Sequence, residues 1–226
     1  MQSKPMLLSW SSGKDSLWAL HALTRAGADV RGLLTTCNRS TGRVSIHGVR
    51  RALLEAQAAA LGLPLTCVEL PHPCSNVEYE ARMGAALAEA RRAGIRDVAF
   101  GDLFLTEIRA YRERQLNDAG LQAHFPIWGL NTRRLAREMT EAGVRAVITC
   151  VDPKQCARTL AGREFDTALL QSLPETVDPC GENGEFHTFA YDGPGFARPL
   201  AVQHGAVVER DGFVFADLLS REGTEH

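Results

Sequence analysis

Residues 6–16 read Met-Leu-Leu-Ser-Trp-Ser-Ser-Gly-Lys-Asp-Ser, an apolar run that leads into a loop of small and polar residues. The run Met6–Trp10 predicts a buried strand, and the helical period over Asp15–Arg25 predicts a helix after the loop. Open α/β sheets bind ligands in such loops, beyond the carboxyl ends of their strands. This first loop is therefore the first candidate for a binding site.

The loop has the composition of a phosphate cradle. Gly13 lets the backbone approach an anion, and the free amides and the dipole of the helix start attract negative charge. Lys14 adds a point charge, whereas Asp15 would repel a bare phosphate and so predicts Mg²⁺ between itself and the phosphates. The hydroxyl donors are Ser11, Ser12 and Ser16. Simple capping of a helix by Ser12 or Asp15 is the alternative.

Outward from this loop, apolar runs alternate with stretches of helical period as far as about residue 124. The predicted strands are 30–37, 65–70 and 97–100, and the predicted helices are 48–61, 76–93 and 107–119. This alternation predicts an α/β fold, a Rossmann-like doubly wound parallel sheet with right-handed crossovers.

The pattern is less regular after residue 125. It predicts helices at 132–142 and 163–172, strands at 146–151 and around 186–191, and a hairpin at Arg210-Asp211-Gly212. We therefore divide the chain into a first domain, 1–124, and a smaller C-terminal α+β sub-domain, 125–226. Because no Pro-rich or Gly/Ser-rich linker separates them, the two parts are expected to pack closely.

Composition excludes several classes of protein. The chain has 226 residues, 25 Lys+Arg against 27 Asp+Glu and 45% hydrophobic residues, which is ordinary for a globular domain. The net charge of −2 argues against broad binding to nucleic acid. No apolar run approaches the roughly 18 residues of a membrane span, and the N-terminal run is too short for a signal peptide. A cytoplasmic protein is expected, with six cysteines that form no C-x-x-C pair and stay reduced.

Residues 11–16 resemble the S-G-G-x-D-S loop of ATP pyrophosphatases, with Ser12 in place of the first Gly. Three further segments narrow the resemblance to the diphthine–ammonia ligase family: Gly101-Asp102, Arg112-Glu113-Arg114, and Cys180-Gly-Glu-Asn-Gly-Glu-Phe-His-Thr188. In the last segment Asn183 replaces a usual Gly and His187 a usual Glu. This string and residues 46–50 (Ile-His-Gly-Val-Arg) look like the bacterial branch of the family.

The resemblance spans nearly the whole chain and implies an AMP-forming, ATP-dependent ligase with a PP-loop fold, that of the adenine nucleotide alpha hydrolases. A substrate carboxylate would attack the α-phosphate of ATP, and ammonia would then displace AMP to leave an amide. The residues assigned to ATP are Ser9, Ser11, Ser12, Gly13, Lys14, Asp15, Ser16, Thr35, His47 and Gly101. Mg²⁺ is assigned to Asp15 and Asp102. The acceptor stays open between diphthine and a small molecule such as a corrinoid acid. Whether the protein forms a homodimer also stays open.

The C-terminal motif is assigned to ammonia and the acceptor. Lys14, Asp15, Glu182 and Glu185 are the expected catalytic residues, because a carboxylate could hold ammonium or take its proton. The expected substrate contacts are Asp102, Arg112, Asn183, Gly184, His187 and Thr188. The alternative without a function is that the motif is a solvated turn and that Arg112 lies on a solvated helix face. The alternative functions are an RNA-modifying PP-loop enzyme and a non-enzymatic nucleotide-binding module.

Overall fold

The structure is a computed structural model that describes residues 4–44 and 47–221. The strands are β1 (Pro5–Ser9), β2 (Asp29–Asn38), β3 (Arg43–Val44), β4 (Leu65–Leu70), β5 (Asp97–Ala99), β6 (Gln122–His124), β7 (Arg145–Val151), β8 (Phe186–Asp192), β9 (Val202–Arg210) and β10 (Phe213–Ser220). The helices are α1 (Lys14–Arg25), α2 (Arg51–Leu61), α3 (Asn76–Arg92), α4 (Thr106–Asp118), α5 (Thr132–Glu141) and α6 (Thr167–Ser172), with a 3-10 turn at Arg158–Leu160.

The first sheet carries the predicted parallel core. β4, β2, β1, β5 and β6 are parallel neighbours in that order, and the short β3 pairs antiparallel with the end of β2. Because β1 lies in the middle and its loop opens at the carboxyl edge, the loop of residues 10–13 sits where such sheets bind ligands.

Both faces of this sheet are covered, which confirms the doubly wound fold. Leu8 of β1 packs in one core with residues of α1 and α2, such as Leu17 and Leu53. Leu7, the residue before Leu8, packs in the other core with Leu87 of α3. Successive residues of a strand point to opposite faces, so one strand reaches both cores.

The C-terminal part forms a separate antiparallel sheet in the order β8, β7, β10, β9. Phe186 and Phe189 of β8 belong to the same apolar core as Leu17 of α1. The two parts therefore pack closely, as expected from the missing linker. Among the residues that the structure describes, no helix is both long and apolar enough to cross a membrane.

One expectation about the cysteines is wrong. The structure joins Cys37 on β2 to Cys67 on β4 as a disulfide, whereas Cys74, Cys150, Cys156 and Cys180 are free. Cys67 lies opposite Thr35, two residues before Cys37, so the two cysteines share one face and their Cα atoms are 6.2 Å apart. That spacing lies within the range of disulfides. Composition cannot show such a pairing because it depends on strand register.

Candidate active site

The loop between β1 and α1 is held in an unusual shape. Ser12 has a φ of +71°, a left-handed conformation that favours glycine, and the usual family residue at this position is Gly. Ser16 Oγ donates to Gly13 O (2.9 Å), and Gly13 N donates to Ser11 Oγ (3.3 Å). Ser12 Oγ is buried and has no hydrogen-bond partner among the described residues. Backbone strain beside an unsatisfied hydroxyl is typical of a ligand-binding loop.

Gln57 of α2 fixes this shape. Its Oε1 accepts from Trp10 Nε1 (2.9 Å), and its Nε2 donates to Ser12 O (2.9 Å) and Ala190 O (2.5 Å). Ala190 N on β8 also donates to Ser12 O (2.9 Å), so the loop is bonded to the second sheet. Gln57 is not among the residues predicted from the sequence, although it is the lone polar residue among the buried positions of an Ala-rich helix.

We expect Gln57→Leu to lower the free energy of unfolding by about 1–3 kcal/mol, the usual effect of a buried polar group left unpaired. Leucine has a similar size but leaves Trp10 Nε1 and Ala190 O without their partner. Urea unfolding measures the change. Gln203→Leu, at an exposed position of β9, is the control and should stay within a few tenths of the wild-type value. Equal values for the two variants would contradict the role of Gln57.

Lys14 does not face the same way as the rest of the loop. Its Nζ is buried, donates to Asp15 Oδ2 (2.9 Å) and Cys180 O (2.5 Å), and lies over the rings of Phe165 and Phe186 at 5.1 and 5.4 Å from their centroids. The first turn of α1 therefore directs this side chain into the C-terminal sub-domain. A contact between Lys14 and a phosphate, as predicted from the sequence, would require the ammonium to leave these partners.

Lys14 and Asp15 form an ion pair in which the lysine is fully buried and the aspartate side chain is 25% exposed. Burial is the largest single influence on the pKa of Lys14 and lowers it, but the charge of Asp15, its hydrogen bond and the smaller influences of Cys180 and Asp178 together raise the pKa, so the lysine stays protonated. Burial raises the pKa of Asp15, and Lys14 offsets only part of this. Asp15 Oδ1 is buried without a hydrogen-bond partner among the described residues. One carboxylate oxygen thus neutralises the lysine while the other remains available as a ligand.

Glu182 reaches the loop that follows β5. Its Oε1 accepts from the backbone amides of Leu103 (2.7 Å) and Phe104 (3.3 Å). Burial raises the pKa of Glu182 to about 7; the two amides lower it, and the charges of Asp15 and Asp102 raise it further. A carboxylate with a pKa near the working pH is suited to general acid–base catalysis.

Glu185, in contrast, holds its own loop together. Its buried Oε1 accepts from Asp178 N (2.9 Å) and Asn183 Nδ2 (3.1 Å), while Gly184 N donates to Gly181 O (3.1 Å) in the same turn. Glu185 Oε2 has no hydrogen-bond partner among the described residues. Within the described part of the chain, no hydrogen bond joins Glu185, Asn183 or Gly184 to residues 10–16.

A cavity of about 370 Å³ opens beside the loop, at the carboxyl ends of β1 and β2. Five of the predicted residues line it: Ser9, Ser11, Thr35, His47 and Arg112. The apolar wall includes Val44, Leu70, Met83, Val98 and Phe100, which were not predicted. Polar groups at the mouth and an apolar interior are the usual make-up of a site for a base and its sugar phosphate.

Contacts among His47, His187 and Thr188 connect this cavity to the first loop and to the C-terminal motif. His47 Nδ1 lies 3.2 Å from Thr188 O, its ring is 4.6 Å from that of His187, and Thr188 Oγ1 accepts from Lys14 N (3.1 Å). Burial lowers the pKa of His47 to about 4 and that of His187 well below its usual value, so both imidazoles are neutral. Ile46, quoted above with His47, lies outside the described residues.

The end of β5 supplies an acid and a close contact. Asp102 forms a two-point ion pair with Arg112 of α4, with Oδ2 2.6 Å from Nε and Oδ1 3.1 Å from Nη2. The Arg112 guanidinium also lies 4.4 Å from the centre of the Phe100 ring. A Cβ on Gly101 would approach the backbone of Asp15 and Ser16 to 3.0 Å, which explains the glycine. Both oxygens of Asp102 thus face Arg112, whereas only Oδ2 of Asp15 faces Lys14.

Comparison with known proteins gives consistent matches. The family model described as "Diphthamide synthase N-terminal domain" matches residues 4–123, and "Diphthamide synthase C-terminal domain" matches residues 131–215. The "Diphthine--ammonia ligase" of Mus musculus is 31% identical over 180 residues, which cover 76% of this chain and 67% of the mouse protein. The Rattus norvegicus protein of that name is 31% identical over 150 residues, or 63% of this chain and 55% of its own. The Homo sapiens protein is 24% identical over 230 residues, or 91% and 85%.

Proposed function

The chain belongs to the diphthamide synthase family, and we propose that the loop after β1, the adjoining cavity and the loop around Glu182 form one site for its reaction. It is an ATP-dependent ligase that forms an amide. The observation that carries the location is the seam of hydrogen bonds that joins the first loop to the C-terminal motif, above all Lys14 Nζ to Cys180 O and Lys14 N to Thr188 Oγ1. Both family domains thus contribute to one site.

ATP would lie with its base in the cavity and its phosphates along the first loop. The apolar wall suits adenine, and Thr35 and Ser9 stand at the strand ends. The unpartnered hydroxyl of Ser12 and the amides at the start of α1 suit an anion. Arg112 lines the same cavity and is placed to offset charge on the α-phosphate.

Mg²⁺ fits Asp15 better than Asp102. Among the described residues, Asp15 Oδ1 is buried and has neither a hydrogen bond nor an ion pair. Asp102 Oδ2 also makes no hydrogen bond but lies 2.6 Å from Arg112 Nε, and Asp102 Oδ1 accepts from Arg112 Nη2. In the described part of the chain no group of three His, Cys, Asp or Glu residues could hold a metal. Mg²⁺ is commonly bound by one or two carboxylates together with substrate phosphates, so this donor set is sufficient. The ion would supply positive charge beside the phosphates.

The reaction would proceed in two steps. A carboxylate oxygen of the acceptor bonds to the α-phosphorus and pyrophosphate leaves with its bond electrons, which gives an acyl-adenylate. Neutral ammonia, formed when Glu182 takes a proton from ammonium, would then attack the carbonyl carbon. AMP would leave with the electrons of the broken C–O bond, and the nitrogen would lose a second proton to the departing phosphate or to water, which leaves the amide. Glu182 suits this role because it accepts a hydrogen bond from the loop after β5, and because burial and the charge of Asp15 raise its pKa.

The products test this proposal. Enzyme, ATP, Mg²⁺, ammonium and a candidate acid should yield AMP and pyrophosphate in equal amounts with the amide. Two acceptor classes are to be compared: diphthine on a protein, which the relatives' name indicates, and small carboxylic acids such as corrinoid acids. Formation of ADP instead of AMP would exclude the adenylation route whichever acceptor is used.

A further inference from the structure

A second concave surface lies between α3 and α4. It is a groove of about 820 Å³, and the small residues Gly84, Ala88 and Ala119 leave it open. Its volume is within the roughly 300–1,000 Å³ that small-molecule sites occupy. It shares one lining residue, Gln115, with the cavity assigned to ATP.

Four arginines line this groove without being neutralised: Arg91, Arg92, Arg96 and Arg114. None of them forms an ion pair within residues 4–44 and 47–221. Their neighbours on the same helices differ, because Arg82, Arg109 and Arg112 all have carboxylate partners. On α3 and α4, the arginines without a carboxylate partner are thus those that line the groove, although Arg133 and Arg137 of α5 also lack one among the described residues.

Backbone carbonyls orient two of these guanidinium groups without cancelling their charge. Arg91 Nη1 donates to Ala119 O (3.3 Å), and Arg96 Nη1 donates to Ile95 O (3.0 Å). Two acids, Glu80 and Asp118, also line the groove, so its formal charge is +4 − 2 = +2 in a chain of net charge −2. The groove is therefore a local positive site on a weakly acidic protein.

Gln115, which lies between the groove and the cavity assigned to ATP, supplies a second indication of a ligand on this side of α4. Its Nε2 is buried and has no hydrogen-bond partner in the described part of the chain. A buried amide donor without an acceptor is rare in proteins and calls for a bound group. Guanidinium groups are donors only, so a ligand rich in acceptors would satisfy all of these atoms.

We propose that the α3–α4 groove is a second binding site, for a small molecule that carries at least two oxyanion groups, either phosphate or carboxylate. Planar guanidinium groups bind both kinds of oxyanion through paired hydrogen bonds. The concave shape and the small residues at its base favour a small molecule. This site adjoins the proposed ATP site at Gln115, and its occupancy does not depend on turnover.

Binding is to be measured on the full chain, saturated with a non-hydrolysable ATP analogue, by NMR of the arginine Nε–H and glutamine side-chain amides. The probes are inorganic phosphate, pyrophosphate and citrate, which separate phosphate from carboxylate ligands. We expect saturable shifts at Arg114 and Gln115 for at least one probe. The double variant Arg92→Gln, Arg114→Gln should weaken binding about tenfold or more, because each lost charge-assisted pair counts strongly.

Two matched variants separate a built site from surface charge. Arg133→Gln with Arg137→Gln removes the same charge from exposed positions of α5 and should leave binding unchanged. Ala88→Trp keeps every charge but fills the groove, and should abolish the shifts. The proposal is overturned if no probe saturates, if the α5 variant weakens binding equally, or if Ala88→Trp binds as the wild type does. Sedimentation that shows a dimer closed over the groove would overturn it as well.

Discussion

Lys14→Met is expected to abolish most AMP formation and to lower the free energy of unfolding by about 3–5 kcal/mol at neutral pH, the usual effect of breaking a buried ion pair. Methionine keeps the length and apolar stem of the side chain but leaves Asp15, whose Oδ1 is buried, without its opposite charge. It also removes the bond to Cys180 O that ties the C-terminal motif to the first loop. Urea unfolding and acceptor-dependent AMP release measure the two effects.

Another of the three lysines in the chain, Lys154, provides a matched control. Lys154→Met changes an exposed lysine after β7, so stability and turnover should both stay close to wild type. If Lys14→Met behaved like Lys154→Met, the buried pair would not belong to the site.

The pH dependence identifies the cause of the stability loss. The folded-state pKa of Asp15 is raised by burial, so this residue stabilises the fold when protonated and the stabilisation is lost as pH rises through that pKa. Without Lys14 the pKa of Asp15 rises further. The deficit of Lys14→Met should therefore shrink at acid pH. The double variant Lys14→Met, Asp15→Asn should regain stability without regaining activity, because neither charge remains buried alone.

The sequence predicts this fold well where elements are long. Apolar runs and helical periods located β1, β4 and most helices to within a few residues. The period is clearest in α1, α2 and α5, which bury several side chains, whereas α4 buries only Leu116. β3 has two residues and β6 three, so neither can show a period. Both form because a neighbouring strand offers its backbone groups, which is information from elsewhere in the chain.

The site shows the same limit more sharply. The first loop is one continuous stretch of sequence, and the motif around Glu182 is another. The chemistry of each could therefore be predicted from its residue types. The partners of Lys14 could not, since Cys180 lies 166 positions away and its contribution is a carbonyl group. The role of Gln57 could not be predicted for a similar reason, because its partners belong to β8 and to the loop after β1. A charge can be predicted from sequence, but the direction of its side chain depends on packing.

Glu182→Gln is expected to separate the two steps of the proposed reaction. Amide formation should fall by about 10²–10⁴-fold, the usual effect of losing a general base. Acceptor-dependent exchange between ATP and pyrophosphate, which reports adenylation alone, should stay within a few-fold of wild type. Glutamine preserves an oxygen to accept from Leu103 N and Phe104 N, so the local structure should be kept. Glu175→Gln, an exposed acid nearby, is the control.

The pH profile gives the sharper test. Glu182 must be ionised to take a proton from ammonium, and its pKa is raised to about 7, so activity should rise with pH and level off above neutrality. At pH 6 only about one tenth of the carboxylate would be ionised. Because free ammonia also increases with pH, rates are to be compared at constant calculated NH₃. The Glu182→Gln variant should then lose the rise near pH 7.

Hydroxylamine provides the last discrimination, since it is largely neutral near pH 7 and needs no base to become a nucleophile. With hydroxylamine in place of ammonium, Glu182→Gln should form the hydroxamate at close to the wild-type rate, because only deprotonation is impaired. An equal loss with both nucleophiles, or an equal loss of pyrophosphate exchange, would mean that Glu182 holds the site together through Leu103 and Phe104 and does not act on ammonium.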